Sequence, residues 1–281
     1  MDALPEPYAS QLPPLLAAAL AEDLPDVTST AIFTADHHCR AALAAKAPGV
    51  VCGMPAFAAV FGFLDAAADV VVLRNDGAPV VAGDTIATVS ASTRAVLSGE
   101  RTALNFVMRL SGIATLARRF VVAVEGTRCA VLDTRKTTPG FRRLEKHAVR
   151  CGGATNHRLG LFDAAMIKDT HIAACGSITA AVARVRDRWG EAITLVVEAA
   201  SLADVDEALA CRVPHILLDN MDLATLRDAV ERVAGRARLE ASGGVSLDTV
   251  RAIAETGVDF VSVGAITHSA PALDVSLKVK P

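Results

Sequence analysis

Several features that mark particular classes of protein are missing from this sequence. Its six cysteines are dispersed, with no Cys-x-x-Cys pair and no histidines at ligand spacing, so neither a zinc site nor a disulfide framework is predicted. No apolar run reaches the roughly 18 residues of a membrane-spanning helix, and the first residues lack the basic segment and apolar core of a signal peptide. We therefore expect a cytoplasmic protein with reduced thiols, no targeting segment and no membrane association.

The sequence also carries little net charge. Its 281 residues have a formal charge of −3, with 52% hydrophobic and 21% charged residues, which is a globular composition. This balance gives no general reason to bind nucleic acid. The charges are uneven, however, because basic residues outnumber acidic ones between Arg94 and Lys168. A local positive field in a mildly acidic protein suits a small anionic substrate.

Apolar periodicity predicts two regions of different architecture. Up to about residue 93, helical segments and short strands separated by glycine turns indicate a small α+β unit, with a loop at Asp26–Ser29. A helical period then runs from Arg94 to about Glu125, with a break expected near Ser111–Gly112. Beyond it, apolar segments alternate with helices, which predicts a parallel sheet forming a barrel of fewer than eight strands. These segments are residues 130–132, 165–168, 193–197, 216–219, 238–241 and 260–263.

Every predicted barrel strand ends in polar or glycine residues. The carboxyl ends of parallel strands meet at one mouth, where barrel enzymes place their active sites, so these residues should converge. In chain order they are Arg135 with Lys136, Lys168–His171, Glu198, Asp219 with Asn220, Ser242–Gly244 and Gly264–Ser269.

Two of these groups indicate a strongly negative ligand. Arg135 and Lys136 place a forked and a compact cation side by side, and Asn156–Arg158 adds further donors. Ser242–Gly244 and Gly264 stand in the final two loops, where glycine lets backbone N–H groups approach phosphate oxygens. The alternative for the glycines is that they only form tight strand-to-helix turns.

Two acids, Glu198 and Asp219, each stand at the end of an apolar strand. Carboxylates in this position could bind sugar hydroxyls or a hydrated magnesium ion. The alternative is that they pair with Lys136 or Lys168 as part of the scaffold.

Several long motifs occur in order along nearly the whole chain. They are Glu100–Phe106, Arg109–Thr115, Asp133–Gly140, Glu145–Lys146 with Ala148–Gly153, Asn156–Arg158, Ile167–Asp169, Leu218–Asn220, Glu240–Gly244 and Gly264–Ser269. In these motifs the chain resembles the quinolinate phosphoribosyltransferase family, also called nicotinate-nucleotide pyrophosphorylase (carboxylating).

The resemblance implies an α/β protein of type II phosphoribosyltransferase architecture. An N-terminal α+β sandwich domain is expected at residues 1–105 and an incomplete α/β (TIM-like) barrel at residues 106–268. The segment 269–281 is expected to return to the first domain. The family is a homodimer with shared active sites that can assemble further into a hexamer.

The resemblance also implies a pentosyltransferase reaction in de novo NAD biosynthesis. The phosphoribosyl group of phosphoribosyl pyrophosphate (PRPP) is transferred to quinolinate with decarboxylation, which gives nicotinate mononucleotide, pyrophosphate and carbon dioxide. Mg²⁺ is expected with PRPP, and no organic prosthetic group is expected.

The resemblance also implies roles for the site residues that lie in the matching motifs. Those expected at quinolinate are Arg135, His157, Arg158 and Lys168, with Arg101 from the neighbouring subunit. Those expected at the phosphoribosyl group and its 5-phosphate are Lys136, Glu198, Asp219, Ser242, Gly243, Gly244, Gly264 and His268. The expected catalytic residues are Lys136, Lys168, Glu198 and Asp219, and the expected metal ligands are Glu198 and Asp219, acting through water or through PRPP.

The chain departs from the family pattern at one of these strands. Where the family often has two acids in a Glu-Val-Glu-Val segment, this chain has Val196 in place of the first and keeps Glu198. Two other readings also stay open. One is a molybdenum-transport-associated relative of the same fold, and the other is a protein that binds a phosphorylated metabolite without turnover.

Overall fold

The computed structural model describes residues 9–280, which form two compact units. The first unit comprises the chain up to Arg118, Thr137–Gly153 and the chain from Ser269 onward, and the second comprises Arg119–Lys136 and Ala154–His268. Within residues 9–280, no helix is both long enough and apolar enough to cross a bilayer.

Helices and strands alternate along most of the chain. The helices are α1 (Leu12–Ala21), α2 (Val27–Ile32), α3 (Met54–Leu64), α4 (Thr93–Ala123), α5 (Arg142–Cys151), α6 (Asp169–Cys175), α7 (Ile178–Trp189), α8 (Leu202–Ala210), α9 (Leu223–Val233), α10 (Val250–Ala254) and α11 (Ala265–His268). The strands are β1 (His38–Ala45), β2 (Gly49–Val50), β3 (Asp69–Val72), β4 (Pro79–Val80), β5 (Thr85–Ser92), β6 (Ala130–Leu132), β7 (Ala164–Ile167), β8 (Thr194–Ala199), β9 (His215–Asp219), β10 (Arg238–Ser242), β11 (Phe260–Ser262) and β12 (Val275–Lys280).

The first unit is built on a four-stranded antiparallel sheet in the order β12-β1-β5-β3. Leu43 in β1 pairs with Leu277 on one side and with Ala87 on the other, and all three residues are buried. Phe57 and Phe61 lie one turn apart on α3, and their fully buried rings meet edge to face with centroids 5.0 Å apart. The last strand of the chain therefore completes a sheet whose other strands come from the N-terminal third.

Helix α4 is continuous, so the break expected near Ser111–Gly112 is wrong. The Ser111 hydroxyl donates to the carbonyl of Cys52 at 3.0 Å and accepts from its N–H at 2.8 Å. A Cβ atom on Gly112 would lie 2.1 Å from the carbonyl oxygen of Pro271. The glycine thus allows another segment to approach the helix closely, and it does not interrupt the helix. The sequence-drawn boundary between residues 105 and 106 falls inside this helix.

The loop expected at Asp26–Ser29 is also wrong, because α2 begins there. Asp26 is the N-cap, and its Oδ1 accepts hydrogen bonds from the N–H groups of Thr28 at 3.0 Å and Ser29 at 2.9 Å. Hydrogen bonds from the side chain and backbone of Ser29, together with one from Ser98, lower the pKa of Asp26 to about 2. The capping aspartate was a start signal that outweighs the weak helix propensity of the threonine and serine that follow.

The second unit is a six-stranded parallel sheet in the order β6-β11-β10-β9-β8-β7. Its central strands are apolar runs with buried residues such as Val197 and Leu218, as expected where helices cover a parallel sheet. In the part of the chain that the structure describes, β6 and β7 do not pair with each other, so the barrel is incomplete. The α/β architecture expected from the sequence is confirmed, and the six barrel strands lie within about two residues of their predicted bounds.

Candidate active site

A cavity of about 440 Å³ lies in the second unit, at the carboxyl ends of the parallel strands. Each of the six parallel strands contributes a lining residue from its last two positions or from directly after its end, as the barrel topology requires. The predicted site residues that the structure brings together here are Arg135, Lys136, His157, Arg158, Lys168, Glu198, Asp219 and Ser242. The cavity wall also contains Asp133, Thr134, Met166, Leu217, Glu240 and Ser262.

Two guanidinium groups share one side of this cavity. Arg158 is half-buried, and its Nη1 donates to the carbonyl oxygen of Ala164 at 3.1 Å while Nη2 lies 3.6 Å from the sulfur of Met166. Burial and the neighbouring positive charge of Arg135 lower the pKa of Arg158, and Asp163 opposes them. Two like charges held this close in a half-buried cavity favour a ligand with more than one negative charge.

Lys168 and Glu198 form an ion pair between the ends of β7 and β8, through Lys168 Nζ and Glu198 Oε2. The lysine side chain is 43% exposed, whereas that of the glutamate is 12% exposed. The scaffold contact considered for Glu198 therefore exists. The ammonium group is still open to the cavity, so the carboxylate holds it in place without covering it.

The segment Asn156–Arg158 is positioned by Asp133, which follows β6 and is fully buried. Asp133 accepts hydrogen bonds from Asn156 Nδ2 and from the N–H of His157, both at 2.7 Å. Thr155 also forms a parallel bridge with Leu132 of β6. A buried carboxylate that is satisfied in this way fixes the loop against the sheet, so Asp133 orients the donors that were predicted to contact the ligand.

Glu240 is a functional candidate that the sequence reasoning missed. It lies inside β10 with a fully buried side chain, accepts a hydrogen bond from Ser262 Oγ, and has Oε2 at 3.2 Å from His157 Nε2 and 2.8 Å from His215 Nε2. Burial alone would raise its pKa, but the contacts with His157, His215 and Ser262 outweigh it and lower the pKa to about 2. The available signal was a single acid between two apolar residues, Leu239 and Ala241, of a predicted strand.

This carboxylate also sets the tautomer of His157. The ring Nδ1 accepts a hydrogen bond from the N–H of Arg158 at 2.7 Å. In the neutral ring the proton is therefore on Nε2, which faces Glu240. His157 is held from both sides at the cavity wall.

The glycines predicted to bind phosphate stand in the loops after β10 and β11. Gly243 has a φ of +103°, and a Cβ there would lie 2.0 Å from Asn220 Oδ1. A Cβ on Gly264 would lie 3.0 Å from Lys136 Cδ and 3.2 Å from His268 Nε2. These loops therefore leave room for Asn220 and for the Lys136 side chain. The phosphate-binding role of Gly243, Gly244, Gly264 and His268 stays a prediction.

One predicted site residue belongs to the first unit. Arg101 is exposed on α4, and its role beside quinolinate in a neighbouring subunit stays a prediction.

Comparisons with known proteins agree on one family. Residues 26–111 match the family described as "Quinolinate phosphoribosyl transferase, N-terminal domain", and residues 113–278 match its C-terminal domain. The chain belongs to the quinolinate phosphoribosyl transferase family. It is 44% identical over 270 residues to the probable nicotinate-nucleotide pyrophosphorylase [carboxylating] of Synechocystis, covering 95% of this chain and 92% of that protein. It is 40% identical to the Bacillus subtilis protein of the same name, with 96% and 93% covered.

Solved structures of the family have the same fold. The crystal structure of NadC from Streptococcus pyogenes has a TM-score of 0.94 at 40% identity, with 100% of this chain and 99% of that chain covered. The nicotinate-nucleotide pyrophosphorylase from Francisella tularensis has a TM-score of 0.93 at 36% identity, with 100% of both chains covered. The family resemblance seen in the sequence motifs is confirmed.

Proposed function

We propose that this chain is a nicotinate-nucleotide pyrophosphorylase (carboxylating). It transfers the phosphoribosyl group of PRPP to quinolinate with loss of carbon dioxide and forms nicotinate mononucleotide and pyrophosphate for NAD biosynthesis. The observation that carries the proposal is the convergence of Arg135, Lys136, Arg158 and Lys168 on one cavity at the carboxyl ends of the barrel strands. The names of the relatives, carried by proteins 40–44% identical to this chain, support the same reaction.

Quinolinate has two adjacent carboxylates, and the cavity offers cations for both. Arg135 and Arg158 bind them, and Lys168, held by Glu198, lies beside them. His157, fixed by Glu240 and by the N–H of Arg158, limits the orientation of the pyridine ring. This arrangement directs the ring nitrogen toward the bond that must break in PRPP, which is the positioning that such a transfer needs.

The phosphoribosyl group occupies the side of the cavity formed by β8–β11. Lys136 neutralises phosphate charge, and Ser242, Gly243, Gly244, Gly264 and His268 bind the 5-phosphate. As pyrophosphate departs, positive charge develops at the ribose carbon, and the carboxylates of Glu198 and Asp219 stabilise it. Both acids line the cavity on the neighbouring strands β8 and β9.

The same two acids fit a Mg²⁺ ion that enters with PRPP. Mg²⁺ prefers oxygen ligands and keeps several waters, and Asp219 is half-exposed at the end of β9 with Oδ2 accepting from Asn220 Nδ2 at 2.9 Å. Glu198 and Asp219 would hold the ion through water or through PRPP, and when bound it supplies charge neutralisation for the leaving pyrophosphate.

Decarboxylation needs little from the protein once the new bond has formed. The quaternised ring nitrogen is positively charged and stabilises the electron pair left on the adjacent carbon when carbon dioxide departs. That carbon then takes a proton, which gives nicotinate mononucleotide. The chain contributes the orientation of the ring and the cations that release the carboxylate.

The working form is a homodimer with shared sites, and dimers can assemble into a hexamer. In this arrangement Arg101 of one subunit completes the quinolinate site of its neighbour.

The experiment that tests the proposal compares quinolinate with nicotinate, which has one carboxylate. With PRPP and Mg²⁺, the purified protein should form nicotinate mononucleotide and release pyrophosphate and carbon dioxide from quinolinate. We expect kcat/KM to be at least about 30-fold lower for nicotinate, because an arginine left unpaired costs roughly 2 kcal/mol or more. Equal values for the two acids would contradict the two-carboxylate site. Turnover of neither acid would contradict the proposal. Binding of PRPP in that case would favour a metabolite-binding protein, and no binding of PRPP would leave the molybdenum-transport-associated reading.

A further inference from the structure

A second cluster of polar side chains lies in the first unit and has no part in the proposed reaction. Cys52 precedes α3, Asp76 lies in the turn between β3 and β4, and His147 and Cys151 are on α5. One ligand atom from each of these four residues lies within 4.8 Å of all the others. Residues far apart in sequence are therefore brought to a single point.

The side chains that form the cluster are largely removed from solvent. Cys52 is fully buried, and the side chains of Asp76 and His147 are each 14% exposed. Closed surroundings of this kind are typical of structural metal sites, whereas catalytic metal sites keep an open position for substrate.

The geometry does not fit a nucleophilic relay of cysteine, histidine and acid. Such a relay uses both ring nitrogens, one facing the nucleophile and the other facing the acid. Here the same atom, His147 Nε2, lies 2.9 Å from Asp76 Oδ2 and 3.4 Å from Cys151 Sγ. Cys52 Sγ lies 3.6 Å from the same Asp76 oxygen. All the polar atoms thus point inward at one another, which is the arrangement of ligands around an ion.

The acid is also oriented by the backbone. Asp76 Oδ1 accepts hydrogen bonds from the N–H groups of Gly53 at 2.9 Å and Met54 at 3.0 Å, at the start of α3. Oδ2 is thereby directed at the cluster. Supporting hydrogen bonds of this type fix the ligands of metal sites in proteins.

The spacing of residues in the sequence does not indicate this cluster, because only two of its members are close in the chain. His147 and Cys151 are four residues apart and share one face of α5, so they form half of a ligand set. Cys52 and Asp76 come from separate loops. The expectation of no zinc site was based on cysteine spacing along the chain, which does not show that these four residues lie together in space.

We propose that Cys52, Asp76, His147 and Cys151 bind one Zn²⁺ ion. Two thiolates, one imidazole and one carboxylate oxygen are ligands that Zn²⁺ accepts in tetrahedral geometry, with bonds of about 2.0–2.3 Å. Ligand atoms at this bond length are separated by roughly 3.3–3.8 Å, close to the observed contacts of 2.9, 3.4 and 3.6 Å. The ion would join α5 to the loops beside α3 and between β3 and β4, all within the first unit.

Metal analysis of the full-length protein tests this proposal. Protein stripped with a chelator and then given Zn²⁺ and desalted should retain about one ion per chain. Protein given Co²⁺ should show the visible bands of a tetrahedral ion and a thiolate-to-cobalt charge-transfer band. Zn²⁺ should also raise the melting temperature of the stripped protein by about 4 °C or more.

Paired cysteine variants supply the control. The double variant Cys52→Ser/Cys151→Ser should bind Co²⁺ at least about 100-fold more weakly and lose the charge-transfer band. The matched variant Cys175→Ser/Cys211→Ser, which changes two thiols of the second unit, should behave as the wild type. Retention of less than about one ion per five chains, or equal cobalt spectra in the two double variants, would overturn the proposal.

Thiol labelling of the wild-type protein provides an answer that needs no variant. Bound Zn²⁺ should slow alkylation of Cys151 at least about tenfold and leave Cys175 unaffected, as located by mass spectrometry. Equal protection of both cysteines would contradict the site. A Cys52–Cys151 disulfide recovered from protein purified without oxygen would do the same, because it would show that the pair is joined and not available as thiolates.

Discussion

The cavity of the second unit and the four-residue cluster of the first unit are built in opposite ways. In the second unit, charged groups surround a cavity of about 440 Å³, and the Lys168 side chain is 43% exposed. In the first unit, four ligand atoms lie within 4.8 Å of one another, and Cys52 is fully buried. The cavity of the second unit leaves room for an organic anion, whereas the cluster of the first unit leaves room for a single ion.

The difference follows from how each cluster is assembled. Parallel strands end at one edge, so each strand contributes one side chain pointing into a shared space that the sheet itself keeps open. The cluster of the first unit combines two loops with one face of α5, and its ligand atoms lie close enough to contact one another. Substitutions that line the cavity should therefore affect turnover, and substitutions in the cluster of the first unit should affect metal binding.

The largest expected effect comes from Lys168→Ala. Removing the ammonium should lower kcat about 100- to 1,000-fold, because it takes a fixed cation from a partly desolvated site, while the melting temperature changes little. Lys168→Arg should not restore turnover, since a planar fork does not replace a compact charge. Steady-state kinetics with quinolinate and thermal unfolding measure both quantities.

His147→Gln is the matched control in the first unit. It should weaken metal binding and leave kcat within about threefold of the wild type. A loss of stability in Lys168→Ala that accounts for its lost activity would mean that the Lys168–Glu198 pair is part of the scaffold. Loss of turnover in His147→Gln with an unchanged melting temperature would mean that the cluster of the first unit takes part in the reaction.

The contrast also explains what could be predicted from the sequence. The sequence predicts that four site residues converge, because each lies at or just after the end of an apolar segment and the carboxyl ends of parallel strands meet at one edge of the sheet. These residues are Arg135, Lys168, Glu198 and Asp219, and all four line the cavity. Glu240 was missed because it is within its strand and its partner His157 is 83 residues away. A local pattern holds no information about such a contact.

Two local structures were wrongly predicted for related reasons. The glycine in α4 indicated a break, but Gly112 is where the carbonyl of Pro271 approaches, which only tertiary packing shows. The polar residues after Asp26 indicated a loop, although the capping hydrogen bonds begin a helix. The four-residue cluster could not be predicted for the same reason as the approach to Gly112, because it depends on tertiary packing. Cys52 and Asp76 are in loops and come near α5 only in the folded chain.

An intermediate effect is expected from mixing two inactive variants. If Arg101 of one subunit serves the site of its neighbour, Arg101→Ala and Lys168→Ala should each be nearly inactive alone. Unfolded together and refolded as a random mixture, about half of the dimers are hybrids, and each hybrid has one site with both defects and one with neither. About a quarter of wild-type activity should therefore return.

The control for this experiment is each variant refolded alone, which should stay inactive. Hybrid formation is verified by native mass spectrometry. If hybrids form and no activity returns, Arg101 acts within its own chain, and the dimer with shared sites is not the working form.

The smallest effect concerns the loop after β11. A Cβ on Gly264 would lie 3.0 Å from Lys136 Cδ, and Lys136 is an exposed and flexible side chain that can move by a few tenths of an ångström. Gly264→Ala should therefore raise the KM for PRPP about three- to tenfold, with kcat and melting temperature nearly unchanged.

Gly62→Ala on α3 of the first unit is the matched control, because a Cβ there meets nothing within 4 Å. It should leave the KM unchanged and raise stability by up to about 1 kcal/mol. An unchanged KM in Gly264→Ala would mean that Lys136 does not need its present position to bind PRPP. An equal change of KM in both variants would mean that the effect does not come from the loop after β11.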